Sequence, residues 1–305
     1  MAAKVKVTEL VKNYGEIKAV RGVSFEIAEG EIFGLLGPNG AGKTTTLECV
    51  IGLRDADAGA IEVCGFDICK QPGEVKQRIG AQLQATALQD KITVREALEL
   101  FGSFYQRRAK TDELLAKFAL TEKADARFET LSGGQKQRLA VALSLVNDPE
   151  LLFLDEPSAA LDAQARRELH ETIKQLRREK RTVLLTTHYI EEAEQLCDRV
   201  AIIDHGQIIA SGAPRDLMAK SKGLSRITLA TAKPLDVERL KTLASVAAVE
   251  MNGQGCVLRS AKVSETVIAA VKFLEAEQNE LLDLHIQKPS LEDVFIELTG
   301  RRIRE

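Results

Sequence analysis

The chain has 305 residues, about two domains' worth at roughly 150 residues each, and its 45% hydrophobic and 29% charged content is that of an ordinary soluble globular protein. Against 45 Asp and Glu stand 42 Lys and Arg, a net charge of −3, which argues against a broad basic face and so against nucleic acid as a partner. No run approaches the roughly 18 apolar residues of a membrane span, and the start lacks the apolar stretch of a signal peptide, so the expected location is the cytosol.

In chain order, residues 4–10 and 22–27 alternate as half-exposed strands do. Residues 31–36 (EIFGLL) form a short apolar run ending in a Gly-rich turn, after which 43–51 reads as a helix. Further strands are expected at 60–63, 151–154, 182–187 and 199–203, the last continuing through a His205–Gly206 turn into 207–210. Helices are expected at 94–107, 111–118, 135–146 and 161–178. Short buried strands separated by helices predict an α/β fold, a parallel sheet with helices on its faces. A polar break at 219–223 (AKSKG) precedes a change of pattern. Beyond it strands are expected at 226–230, 246–250, 256–260 and 281–286, helices at 234–243 and 264–278, and a hairpin turn at Asn252–Gly255. That β-α-β-β-α-β order predicts a small ferredoxin-like α+β accessory domain over 224–305, closed by a helix at 291–298, behind a main domain over 1–223.

Five cysteines at 49, 64, 69, 197 and 256 have irregular spacing and no C-x-x-C pair, and read as reduced packing residues rather than a zinc site. The absence of Trp and the 4% aromatic content disfavour a base-stacking platform.

Three motifs carry chemistry. Gly37-Pro38-Asn39-Gly40-Ala41-Gly42-Lys43-Thr44 fits G-x-x-x-x-G-K-[ST] between an expected strand and an expected helix. Its glycines let successive N–H groups turn inward on an anion, and the following helix adds about half an elementary positive charge at its N-terminus. Lys43 supplies a point charge for the β- and γ-phosphates, and the Thr44 hydroxyl can ligate Mg²⁺. Leu151–Leu154 followed by Asp155 and Glu156 is a buried strand ending in two acids, at the sheet edge where α/β proteins bind ligands. Asp155 can hold Mg²⁺ while Glu156 polarises a water for in-line attack on the γ-phosphate. Ser132-Gly133-Gly134-Gln135, before an apolar helix, is a second anion cradle. A cap explains Ser132 but not the two glycines, and one nucleotide does not need two cradles on one subunit. Two subunits do, if each lends its second cradle to the other's nucleotide.

Here the sequence resembles the ATP-binding-cassette (ABC) family over essentially all of 1–223. GPNGAGKTT looks like its Walker A, LLFLDEP like its Walker B and LSGGQKQR like its signature. The resemblance implies a P-loop ATPase core with a parallel sheet, an antiparallel β subdomain and a helical subdomain, and assigns ATP contacts to Gly37 through Thr45. It further implies adenine stacking by Tyr14, sensing of Mg²⁺ by Gln84 with Gln82 as a competing assignment, a D-loop over Ser158–Asp162, and a switch role for His188. One departure is Ala160, where that loop usually has Gly. The segment 289–300 resembles the tail of ATPase subunits of ABC-2 type exporters, although on its own pattern it is an amphipathic helix that could be a lid on the small domain. The implied protein hydrolyses Mg-ATP at a head-to-tail dimer interface. Its implied partners are a second copy of itself and separate integral membrane permease subunits at the cytoplasmic face, the permease received around 84–105. The alternatives are a soluble ABC ATPase acting on ribosomes or DNA, for which this chain has one cassette and no long coiled-coil insert, and a P-loop kinase, which would not need LSGGQ.

Overall fold

The computed structural model describes residues 3–84, 87–159, 161–220, 224–252 and 255–303. Two compact units emerge, Met1–Pro214 with Ile303–Glu305, and Arg215–Arg302. Among the described residues no helix is long and apolar enough to cross a membrane.

In the larger unit β1 (Ala3–Tyr14) and β2 (Ile17–Ala28) form a long hairpin. β3 (Ile32–Leu36) leads through the Gly-rich loop into α1 (Lys43–Val50), followed by β4 (Ala58–Val63) and β5 (Phe66–Asp67). These outer strands make an antiparallel sheet in the order β2-β1-β4-β5. Next come α2 (Pro72–Arg78), β6 (Ile79–Gln82), α3 (Val94–Gly102), α4 (Thr111–Lys117) and α5 (Gly133–Leu143). β7 (Leu151–Asp155), α6 (Ala163–Arg178), β8 (Thr182–Thr187), α7 (Ile190–Leu196), β9 (Arg199–Asp204) and β10 (Gln207–Gly212) complete the unit.

The second sheet runs β10-β9-β3-β8-β7-β6, parallel throughout except for the β9–β10 hairpin. Every residue of β3, β7 and β8 is buried, as strands covered on both faces must be. The register decides the site. Leu36 pairs with Thr187 and Asp155 with Thr186, so the C-terminal ends of β3, β7 and β8 lie side by side. This is the expected α/β architecture, with the antiparallel sheet beside it.

Several boundaries differ from the sequence reading. α3 stops at Gly102 rather than 107, where Ser103 turns its hydroxyl back onto the Leu100 carbonyl at 2.6 Å. α5 ends at Leu143 rather than 146, and α6 begins at Ala163 because Asp162 caps it, accepting from the Gln164 and Ala165 N–H groups at 2.9 and 2.8 Å. β6, α2 and α7 were not anticipated, being only four to seven residues long.

The smaller unit contains α8 (Pro214–Lys220, shared at its first residue with the larger), β11 (Ser225–Thr231), α9 (Val237–Lys241), β12 (Val246–Asn252), β13 (Gly255–Ser260), α10 (Val263–Ala276), β14 (Leu281–Gln287) and α11 (Leu291–Thr299). Its sheet is antiparallel in the order β12-β13-β11-β14, over a core that includes Ile227, Leu229, Leu258 and Leu274. α9 is shorter than the expected 234–243 because Asp236 caps it. Residues 221–223, within the expected break, and the Gly253–Gln254 centre of the expected hairpin lie outside the described residues.

Candidate active site

The loop between β3 and α1 is shaped by backbone crowding. A Cβ on Gly37 would lie 2.2 Å from the Ile203 carbonyl oxygen, and Gly42 sits at φ +100° with the Ala19 carbonyl oxygen 2.4 Å from where a Cβ would go. Neither position admits a larger residue without moving backbone. The loop delivers Lys43 to the first turn of α1, where its ammonium meets the carbonyls of Gly37 at 2.8 Å and Pro38 at 3.1 Å and the carboxylate Oε1 of Glu156 at 3.0 Å. Lys43 is 4% exposed and Glu156 8%, so the pair is withdrawn from water and all three ammonium protons have an acceptor.

Asp155 and Glu156 leave the end of β7 in different directions. Asp155 Oδ1 accepts from Thr44 Oγ1 at 3.2 Å and from Thr186 Oγ1 at 2.5 Å, while its Oδ2 is buried with no hydrogen-bond partner. Burial pushes the Asp155 carboxyl above the ordinary carboxylate range, against the hydrogen bonds from Thr186 and Thr44 that pull it down. An unpartnered buried carboxylate oxygen beside the Thr44 hydroxyl is an oxygen-only donor set of the kind a small hard cation takes. Glu156 holds a left-handed backbone at φ +46°, its N–H bonded to the Thr186 carbonyl at 3.2 Å and hydroxyl at 3.0 Å. Such a conformation costs a non-glycine residue roughly 1–2 kcal/mol, and here it aims the second carboxylate back at Lys43. Glu156 Oε2 lies 3.2 Å from His188 Nδ1, just beyond the end of β8.

Lys43, Thr44 and Glu156 border one cavity of about 680 Å³, whereas Asp155 and His188 are not part of its lining and reach it through Thr44 and Glu156. Tyr14, Asn39, Gly40, Gly42, Lys43, Thr44, Thr45, Gln84 and Glu156 all line it; Gly37, Pro38 and Ala41 belong to the loop's backbone. Tyr14 closes the β1–β2 hairpin 38% exposed, with the Arg54 guanidinium 5.4 Å and the Lys12 ammonium 5.8 Å from its ring centroid. Of the two glutamines, the exposed Gln84 faces this cavity. Gln82 is buried at the end of β6, donates to the Leu83 carbonyl at 2.6 Å, and lines a separate groove.

The signature residues do not line the cavity. Ser132 caps α5 in a reciprocal box: its N–H donates to Gln135 Oε1 at 2.9 Å and its hydroxyl accepts from the Gln135 N–H at 3.3 Å. A Cβ on Gly134 would meet Ala165 Cβ at 3.0 Å, which explains that glycine by packing. A Cβ on Gly133 would meet nothing within 4 Å, so nothing in this chain's own packing requires Gly there. Asp162 caps α6, and Ala160 lies outside the described residues.

Sequence reasoning missed several participants. Thr186 joins both carboxylate residues, Arg21 and His205 line the cavity, and the His205–Gly206 turn bonds into it through the Gly206 N–H on the Ala41 carbonyl at 3.0 Å. The turn was legible in the sequence; its place against the loop depends on β9 pairing with β3.

Residues 20–159 match the family described as ABC transporter. Over its whole length the chain is similar to Nod factor export ATP-binding protein I of Paraburkholderia xenovorans, 41% identical over 99% of both chains. It is 38% identical to the linearmycin resistance ATP-binding protein LnrL of Bacillus subtilis over 96% of this chain and 97% of that one. Among solved structures it is similar to the ATP-binding cassette MJ0796 in a dimeric post-hydrolysis state bound to ADP and Pi, with a TM-score of 0.62, 28% identity and coverage of 68% of this chain and 98% of that one.

Proposed function

The chain belongs to the ABC transporter family as an ATP-binding, ATP-hydrolysing subunit, and from that premise we propose how its residues serve export by an ABC-2 type system. The loop from Gly37 to Thr45 holds the phosphates, Lys43 neutralises the β- and γ-phosphates, and Tyr14 stacks on the base. Thr44, Asp155 and Gln84 would hold Mg²⁺, which when bound would offset charge on the phosphate oxygens. Glu156 takes the proton of the attacking water. His188, beside Glu156, reaches for the γ-phosphate and reports its loss. The observation that carries this reading is the meeting of Lys43 and Glu156 at 3.0 Å on the border of one cavity that Tyr14 also lines, with His188 3.2 Å from the same Glu156 carboxylate.

ABC cassettes dimerise, and two copies of this chain close head to tail, each giving Ser132, Gly133, Gly134 and Gln135 to the other's nucleotide. A two-fold interface of this kind is self-complementary. The triphosphate is then held by donors from both chains, and its hydrolysis releases them. ABC ATPase subunits work with membrane permease subunits, and this chain attaches as a peripheral subunit on the cytoplasmic face of separate permease chains. The test is co-purification: in detergent the chain is expected to come out with an integral membrane protein whose presence changes its ATPase rate. Sedimentation with ribosomes or DNA, with no membrane protein retained, contradicts the transport reading.

A further inference from the structure

We propose that Glu192 is a positioning residue for hydrolysis: through Thr187 it fixes the backbone that carries His188, and through the same residue it ties that backbone to the phosphate-binding loop. The proposal rests on the reading of His188 given above.

Glu192 lies in α7, 1% exposed, and takes no part in the chemistry described so far. Its Oε2 accepts the Thr187 hydroxyl at 2.5 Å. That same hydroxyl accepts the N–H of Tyr189 at 2.9 Å. Thr187 and Tyr189 flank His188, so one hydroxyl, oriented by one carboxylate, clamps the chain on both sides of the histidine. The Thr187 carbonyl meanwhile accepts the N–H of Gly37 at 3.2 Å, joining the clamp to the first residue of the Gly-rich loop.

The carboxylate is itself held from a third element. Oε1 lies 2.9 Å from Nε2 of His170, which is 7% exposed on α6. A carboxylate can only accept, so the short contact assigns the proton to His170 Nε2. Burial pushes the Glu192 carboxyl up, but His170, Ser158 and Thr187 together outweigh it and hold the group below its ordinary value. A buried carboxylate kept ionised is costly unless its acceptors are filled. Here α6, β8 and α7 converge to fill them, through a threonine that immediately precedes the histidine.

Displacing a reacting group by about 1 Å can cost on the order of a hundredfold in rate. Glu192→Ala is therefore expected to lower kcat by about ten- to a hundredfold while the ATP dissociation constant changes by less than about threefold. Glu192→Gln keeps an acceptor for Thr187 and is expected to restore most of that loss. Should Glu192→Ala not fold, Thr187→Val against Thr187→Ser decides: Ser keeps the clamping hydroxyl and should turn over at close to the parent rate, whereas Val should not. Equal rates for Val and Ser, or a Glu192→Ala enzyme with parental kcat, overturn the positioning role. His188→Ala tests the premise separately. Full turnover in that variant removes the reading of His188 and the proposal with it, while loss there with parental Glu192→Ala removes the proposal alone.

Discussion

Lys43 Nζ and Glu156 Oε1 lie 3.0 Å apart, each side chain more than nine-tenths hidden from water. On the proposed function, phosphate binding is expected to redirect an ammonium that already has three acceptors and to free the Glu156 carboxylate for water. Hydrogen bonds to charged groups contribute about 1.5–3 kcal/mol each. Lys43→Ala, removing contacts to two phosphates, is expected to weaken ATP binding by at least about a hundredfold. Titration calorimetry checks this, and undiminished affinity would set aside the loop assignment.

Two buried carboxylates respond to pH with opposite sign. Asp155 is raised above its ordinary 3.8, so the folded state binds its proton more tightly than the unfolded one. Its contribution to stability is present below 3.8 and lost as pH rises through its raised value. Asp155→Asn should thus stabilise the nucleotide-free protein at pH 7, by about 2–4 °C for each kcal/mol recovered, and abolish Mg²⁺-dependent turnover. Glu192 is lowered from 4.5, so its contribution is present above 4.5 and lost as pH falls through its depressed value. Glu192→Gln should melt below the parent at pH 7, with the gap closing in acid. Calorimetric scans across pH distinguish the two, and parallel profiles would contradict both assignments.

Gly133 offers open space where Gly134 offers a contact with Ala165. Gly133→Glu is expected to leave the stability of the isolated chain within about 0.5 kcal/mol and its ATP affinity unchanged, as for an ordinary surface substitution. Turnover should nevertheless fall to background, because the new carboxylate meets the partner's triphosphate. Normal turnover in this variant would show that the second cradle is not used.

The residues beyond Gly223, most of the smaller unit, are expected to be dispensable for nucleotide binding. A chain ending at Gly223 should retain ATP affinity within about threefold by calorimetry, since every residue of the cavity precedes it. A truncated chain that neither unfolds cooperatively nor binds ATP would refute a boundary there.

The parts of the site carried by local sequence were legible. Glycines that a loop needs, an apolar run ending in Asp155, and a serine three residues before Gln135 each announce a local geometry. What depends on register between distant strands was not. Thr186 looks like any strand residue until β8 is set against β7, and Glu192 looks like a solvated helix acid until His170 and Thr187 close on it. Which of Gln82 and Gln84 lines the cavity likewise required the fold: β6 has only four residues, and Gln82, paired with Leu154 of β7, is buried while Gln84 borders the cavity. α2 and α7 are single short segments whose apolar pattern spans too few turns to stand out.

The most direct measurement is analytical ultracentrifugation of Glu156→Gln with and without Mg-ATP. The amide keeps the shape of the side chain but cannot accept the water's proton, so ATP persists. The account predicts a monomer without nucleotide and a stable dimer with it, reverting to monomer when Gly133→Glu is added. A Glu156→Gln chain that binds ATP and remains monomeric at every concentration would contradict the claim that two copies share each triphosphate.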